Sequence, residues 1–182
     1  HYCDYLFSSE GKEAELKFFI DKVTTNKTDF FREPEHFYHL TNSVIPKIIK
    51  SWKGVHNQLQ VWSAGCSTGE EPYTIAMVIQ DFADEHPTYR LNYSILATDI
   101  SQEVLTTGYN AVYSEDKVEP VAYSMKKKYL LRSKEKNKRL VKMVPEIRNR
   151  IQFKMLNFMD SHYPLSKKVD IVFCRNVIIY FD

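Results

Sequence analysis

The sequence predicts an α/β fold built on a doubly wound, mostly parallel sheet, and two observations lead to it. Short β-rich runs alternate with amphipathic helical segments along most of the chain. One of those runs, "LQVWSA", passes through a loop of small residues, "GCSTG", straight into a long helical pattern. A strand feeding a helix through a tight turn is the repeating unit of a parallel sheet, whose neighbours need a crossover of a dozen or more residues. The 182 residues, 43% of them hydrophobic, suffice for one substantial core with a small appendage.

In chain order, "KEAELKFFIDKV" places Leu16, Phe19, Ile20 and Val23 at helical spacing and predicts a helix over about residues 10–23. "PEHFYHLTNSVIPKIIKSWK" predicts a helix interrupted at Pro46, which lacks a backbone donor and clashes with the preceding turn. "LQVWSA" is the first strand. "EEPYTIAMVIQDFADEH" follows as a helix, with Pro72 acceptable in its first turn and Ile75, Ala76, Val78, Ile79 and Phe82 facing inward. "NYSILATDI" is the second strand, and Ser101 caps the next helix. After an insertion, "IQFKML" and "VDIVFC" are two more strands.

Composition narrows the function classes. No run of about 18 apolar residues occurs, so no membrane span is expected, and the first residues lack a signal-peptide pattern. Without an initiating Met the chain is expected to be a fragment or a trimmed piece. Cys3, Cys66 and Cys174 are odd in number and widely spaced, which argues against a disulfide framework or a cysteine zinc site and fits a reducing cytosol. His36 and His39 stand at i, i+3 with no third ligand in reach, so no metal is expected. The net charge of +2 hides an asymmetry: residues 117–154 hold 13 Lys or Arg against 3 acids. Such a segment can attract an acidic partner or serve only as a solvated face.

The turn after the first strand carries the functional signal. "SAGCSTG" lets backbone approach a ligand, yet it is neither a dinucleotide fingerprint nor a phosphate loop, because no Lys follows the last glycine. Glu70 and Glu71 would repel a phosphate at that helix start, whereas a cation would be attracted. Asp99 ends the second strand, where such folds bind ribose hydroxyls. A nucleoside without phosphate, carrying an amine and a further positive charge, describes S-adenosylmethionine. The bland alternative is that the two acids only favour the helix dipole.

Four blocks make a resemblance specific: "TTNKTDFFREPEHF" (24–37), "VWSAGCSTGEEPYTIAMVI" (61–79), "ILATDIS" (95–101) and "IVFCRNVIIYFD" (171–182). In this order and spacing the chain resembles the CheR family, S-adenosylmethionine-dependent methyltransferases that esterify glutamate side chains on bacterial chemotaxis receptors. The resemblance implies a class I methyltransferase (Rossmann-like) fold. It implies that Asn26, Thr28 and Arg32 contact the cofactor, with Arg32 also near methyl transfer. Glu71 and Asp99 match cofactor-binding carboxylates, and Gly65 belongs to the same loop. Asn157 and Phe158 match adenine-side contacts, Arg175 and Asn176 line the cofactor pocket, and Tyr180 matches a tyrosine facing the sulfonium. Phe30 and Phe31 read as core packing. The expected product of the cofactor is S-adenosylhomocysteine.

The same resemblance divides the chain into residues 1–25, the last helix of an N-terminal helical domain plus a linker, and 26–182, the methyltransferase domain. Residues 113–150 then form an inserted basic β-subdomain that docks on the receptor. The loop "RSKEKNKR" lacks the glycine and proline of members that grip a receptor peptide. A cytoplasmic monomer acting on the receptor's acidic helical bundle is expected, with neither nucleic acid nor membrane insertion. Two other readings stay open: a non-catalytic module that senses cofactor or scaffolds a signalling complex, and an RNA methyltransferase. The second is disfavoured because Tyr123 and Tyr129 read as core residues instead of a stacking platform.

Overall fold

The computed structural model describes residues 1–24, 26–52, 58–161, 163, 165 and 168–177. Three short helices open it: α1 (Tyr2–Leu6), α2 (Ser9–Ala14) and α3 (Leu16–Val23). After a loop come α4 (Glu35–His39), a π-helical turn (Leu40–Val44) and α5 (Ile45–Ser51). The core units are β1 (Gln58–Ala64), α6 (Glu70–Glu85), β2 (Asn92–Asp99) and α7 (Gln102–Asn110). The insertion comprises β3 (Val112–Ser114), α8 (Tyr123–Tyr129), β4 (Leu130–Arg132), β5 (Leu140–Met143) and α9 (Pro145–Arg148), and β6 (Ile151–Met155) and β7 (Ile171–Phe173) complete the order.

Among the described residues β1, β2, β6 and β7 form one parallel sheet in the order β6-β2-β1-β7. Helices cover it, and β1 is accordingly buried along nearly its whole length, as parallel strands are. The inward face of α6, with Ile75, Ala76, Val78, Ile79 and Phe82, packs into the main core beside Leu59, Val61 and Ile95. The predicted α/β architecture is therefore the observed one. Ser101 caps α7 through its hydroxyl, which accepts from Val104 N at 3.3 Å.

Pro46 interrupts its helix as expected, and the form of the interruption is the π-helical turn just before it. Removing the proline's donor and making room for its ring widens the preceding turn. At the amino end the structure departs from the expected single helix over 10–23. The helix breaks at Glu15, whose backbone (φ −123°, ψ −26°) leaves helical geometry, and α1 precedes it.

The insertion folds as a three-stranded antiparallel sheet in the order β3-β5-β4. Its apolar residues do not form a separate core: Tyr113, Val121, Tyr129, Val141, Met143 and Ile147 belong to the main cluster. Tyr129 is buried, and its hydroxyl donates to Asp81 Oδ1 on α6 at 2.5 Å. Tyr123 corrects the sequence reading, since it is 72% exposed with Lys127 Nζ over its ring. A position at the first turn of α8 points outward, whereas one six residues later points into the core.

Candidate functional site

Each of the four parallel strands ends at the same edge of the sheet and delivers a residue there. Gly65 follows β1, Asp99 ends β2, Asn157 and Phe158 follow β6, and Arg175 and Asn176 follow β7. The sheet order reverses between β1 and β7, and it is at such a switch point that open α/β sheets bind ligands. A cavity of about 430 Å³ opens at this edge, within the size range of small-molecule sites. All ten residues singled out as cofactor contacts line it: Asn26, Thr28 and Arg32 from the loop before α4, and Gly65, Glu71, Asp99, Asn157, Phe158, Arg175 and Asn176. Tyr180 lies outside the described residues.

The loop after β1 is shaped by left-handed backbone. Gly65 (φ 75°), Ser67 (φ 48°) and Gly69 (φ 97°) fold it back on itself, and Gly65 N and Cys66 N both donate to Thr98 O on β2. A Cβ at Gly65 would stand 2.3 Å from Val177 Cγ2, so a side chain there meets both strain and a clash. Asp99 holds the loop from below: its Oδ2 accepts from Ser67 N at 2.8 Å and its Oδ1 from Ser101 N at 3.1 Å. Each carboxylate oxygen keeps a further acceptor site.

The two acids of α6 part company. Glu71 faces the cavity, where its Oε1 accepts from Ser63 Oγ at 2.7 Å and its Oε2 from Arg175 Nη1 at 3.2 Å. Burial raises its carboxyl above the usual carboxylate range, and the Ser63 and Arg175 contacts pull the other way. Glu70 departs from the sequence reading, which set both acids beside the ligand. It is 1% exposed and turned away, accepting from Thr68 Oγ1 at 2.6 Å and paired with Lys117 Nζ at 3.6 Å. Adjacent helical residues are separated by about 100° around the axis, so only one of the pair can face a given site.

Arg175 ties the cavity wall together. Its Nη2 donates to Arg32 O at 2.5 Å and to Glu33 Oε2 at 2.9 Å, and its guanidinium lies over the Phe37 ring. That contact holds the Glu33 carboxyl below the usual range. Arg32 itself stays half-exposed at the cavity, with Nη1 donating to Lys27 O at 3.1 Å. Both its neighbours, Phe31 (φ 55°) and Glu33 (φ 55°), occupy the left-handed region, a costly backbone for non-glycine residues that is met most often at functional sites. Phe30 is buried in the core, and Phe31 packs against it.

Sequence reading missed several residues here. Ser67 and Asp29 line the cavity, as do Ile100 and Met159. Ser67 sat inside the quoted loop, and its small size was the only signal. Lys117, which reaches the cavity loop from the insertion, had no local signal at all, being 88 residues from its partner Asp29. His36 and His39 are exposed, and no group of three metal-capable side chains occurs among the described residues.

A four-strand parallel sheet with this order, a ligand cavity at its switch point and acids in place of a phosphate cradle define an α/β domain of the class I methyltransferase kind. The chain matches the family described as CheR methyltransferase, SAM binding domain over residues 26–182, and it belongs to that family. It is similar to the chemotaxis protein methyltransferase of Borreliella burgdorferi, with 43% identity over 182 residues, covering 100% of this chain and 62% of the relative. It is also similar to the probable chemotaxis protein methyltransferase of Rhizobium etli, at 33% over 181 residues (100% of this chain, 66% of the relative). The Escherichia coli chemotaxis protein methyltransferase is 34% identical over 182 residues, all of this chain and 59% of the relative. The chain thus spans less than two thirds of these relatives.

Proposed function

We propose that this chain carries the catalytic part of an S-adenosylmethionine-dependent methyltransferase that esterifies glutamate side chains of a bacterial chemotaxis receptor. The observation that carries the reading is the acid-lined cavity at the strand ends, in a chain of this family. The residues present suit the cofactor: Glu71 offers a carboxylate to its amine and Asp99 offers acceptors to its ribose hydroxyls. Gly65 puts bare backbone at the cavity, where a Cβ would clash with Val177. Phe158, Ile100 and Met159 give an apolar wall for the base, with Asn157 at its edge, and Asn26, Thr28 and Asn176 add polar contacts. When bound, S-adenosylmethionine supplies a methyl group on a positively charged sulfur that needs no further activation.

The protein's task is then to place a nucleophile. A glutamate carboxyl, with a reference pKa of about 4.3, is ionised at neutral pH, so no general base is required. Arg32 presents a planar fork able to hold one carboxylate while leaving an oxygen free to attack. Its main chain is fixed by Arg175 and its half-exposed side chain reaches the cavity, which suits a group that orients a substrate arriving from outside. The resemblance assigns Tyr180 to the sulfonium, by hydrogen bonding or by its ring face.

Arg32→Lys tests the assignment, because it keeps the charge and loses the fork. Turnover on a receptor fragment should fall more than affinity for S-adenosylhomocysteine. Equal losses would make Arg32 a cofactor contact only. Cofactor binding without any methyl transfer by the wild-type protein would leave a sensing or scaffold module.

A further inference from the structure

We infer that Lys117 is a positioning residue: from the insertion it clamps the loop that carries Arg32 against the cofactor cavity. The inference rests on the reading of the cavity given above, and it adds a residue and a coupling which that reading does not contain. Lys117 follows β3, and its backbone N is tied to Ser114, by Ser114 O at 3.1 Å and Ser114 Oγ at 3.3 Å, so the turn that delivers it is braced. Its ammonium spends its donors across the junction. It donates to Thr28 O at 2.5 Å and to Asp29 Oδ1 at 2.9 Å, and it stands 3.6 Å from Glu70 Oε1.

Those partners belong to different parts of the site. Thr28 and Asp29 line the cavity, and Glu70 begins α6 one residue before Glu71. One cation therefore joins the insertion, the cavity loop and the start of the helix that carries the cavity acid. Because Glu70 is buried, its charge needs that counterion, which fixes Lys117 in place. The segment it clamps needs holding. Phe31 and Glu33 are both in left-handed backbone, and conformations of that kind persist only where surrounding contacts over-determine them. Arg175 holds the far end of this segment through Arg32 O and Glu33, and Lys117 holds the near end through Thr28 and Asp29. Between these two cations the amides of Phe31, bonded to Thr74 Oγ1, and Arg32, bonded to Asp29 O, report whether the loop is closed.

Hydrogen exchange read by mass spectrometry, with calorimetric titration of S-adenosylhomocysteine, tests this on Lys117→Met, Asp29→Asn and Lys117→Arg. Asp29→Asn keeps the Lys117–Glu70 pair and so avoids stranding a buried acid. Lys117→Met and Asp29→Asn should speed exchange within residues 26–33 and weaken ligand binding, by about tenfold for Lys117→Met, the size of a coupling carried by a packed network. Lys117→Arg, which keeps the cation, should recover most of the affinity. Exchange in β1 and β2 should stay as in the wild type. Unchanged exchange in 26–33 would overturn the inference, as would acceleration spread evenly over the chain. If the wild-type protein bound no S-adenosylhomocysteine, the cofactor reading would fail. Localised acceleration in the variants would then still establish the clamp.

Discussion

Asp99 holds the fold with the same two oxygens that the proposed function offers to the ribose of the cofactor. It accepts from Ser67 N and Ser101 N, both buried, so the carboxylate fixes the loop whose backbone faces the cavity. Asp99→Ala should weaken S-adenosylhomocysteine binding by about 1.5–3 kcal/mol, the worth of charge-assisted bonds, and should also lower thermal stability by stranding two amides. Calorimetry and a melting curve on the same variant check both; unchanged affinity would remove Asp99 from the site. Glu71 adds a pH dependence of definite sign. Burial keeps its carboxyl neutral to higher pH than an ordinary glutamate, and only the ionised form attracts a cationic amine. Affinity should therefore rise as pH climbs through that raised pKa and fall below it. Titrations between about pH 5 and 8 on wild type and Glu71→Gln should show this rise flattened in the variant.

Contacts between elements explain why the strand ends line up. Helix α7 lies close over β6 because Gly108 has no side chain: a Cβ there would meet Phe153 Cε1 at 2.6 Å. Tyr73 on α6 donates to Gly108 O at 2.8 Å, which ties the two helices at the same point. Gly108→Ala should cost about 1–3 kcal/mol by overpacking, measured by urea unfolding. A loss below the error of that measurement would mean that Phe153 simply swings aside. The sequence reading placed only a Ser-capped helix here, since nothing local to "EVLTTGYN" says which residue a later strand will press against.

Across the whole molecule, charge is less lopsided than counting suggested. Several cations of the basic segment are neutralised by acids from outside it: Lys128 by Asp81 and Asp84, Arg132 by Glu115, Arg139 by Glu115 and Asp116, Lys117 by Asp29 and Glu70. Among the described residues, Lys134 takes no part in such pairs, and Lys138 pairs only with its neighbour Glu135. If the insertion steers an acidic receptor, reversing Lys134, Lys136 and Lys138 to Glu should raise the apparent KM for receptor. S-adenosylhomocysteine affinity should stay as in the wild type. Wild-type methylation should slow as salt rises, since exposed charges are screened beyond about 8 Å at physiological ionic strength. A receptor-methylation assay over a salt series decides it: flat rates, the same in wild type and variant, would leave the patch a solvated face.

By itself the sequence determined the strands and helices of the sheet, because their signals are local: period-two and period-3.6 patterns, a Ser cap, a proline break, a small-residue turn. It also marked the residues that gather at the cavity, since each sits directly after a strand or in a recognisable block. Tertiary structure alone decided which of two adjacent acids faces the cavity, because helix rotation is set by packing. It likewise decided that Tyr123 is exposed while Tyr129 is buried. The partners of Lys117 and Arg175 were out of reach for the same reason. The Lys117–Asp29, Arg175–Glu71 and Arg175–Glu33 pairs join residues 88 to 142 positions apart, and no local pattern encodes an ion pair that exists only once the sheet has brought its strand ends together.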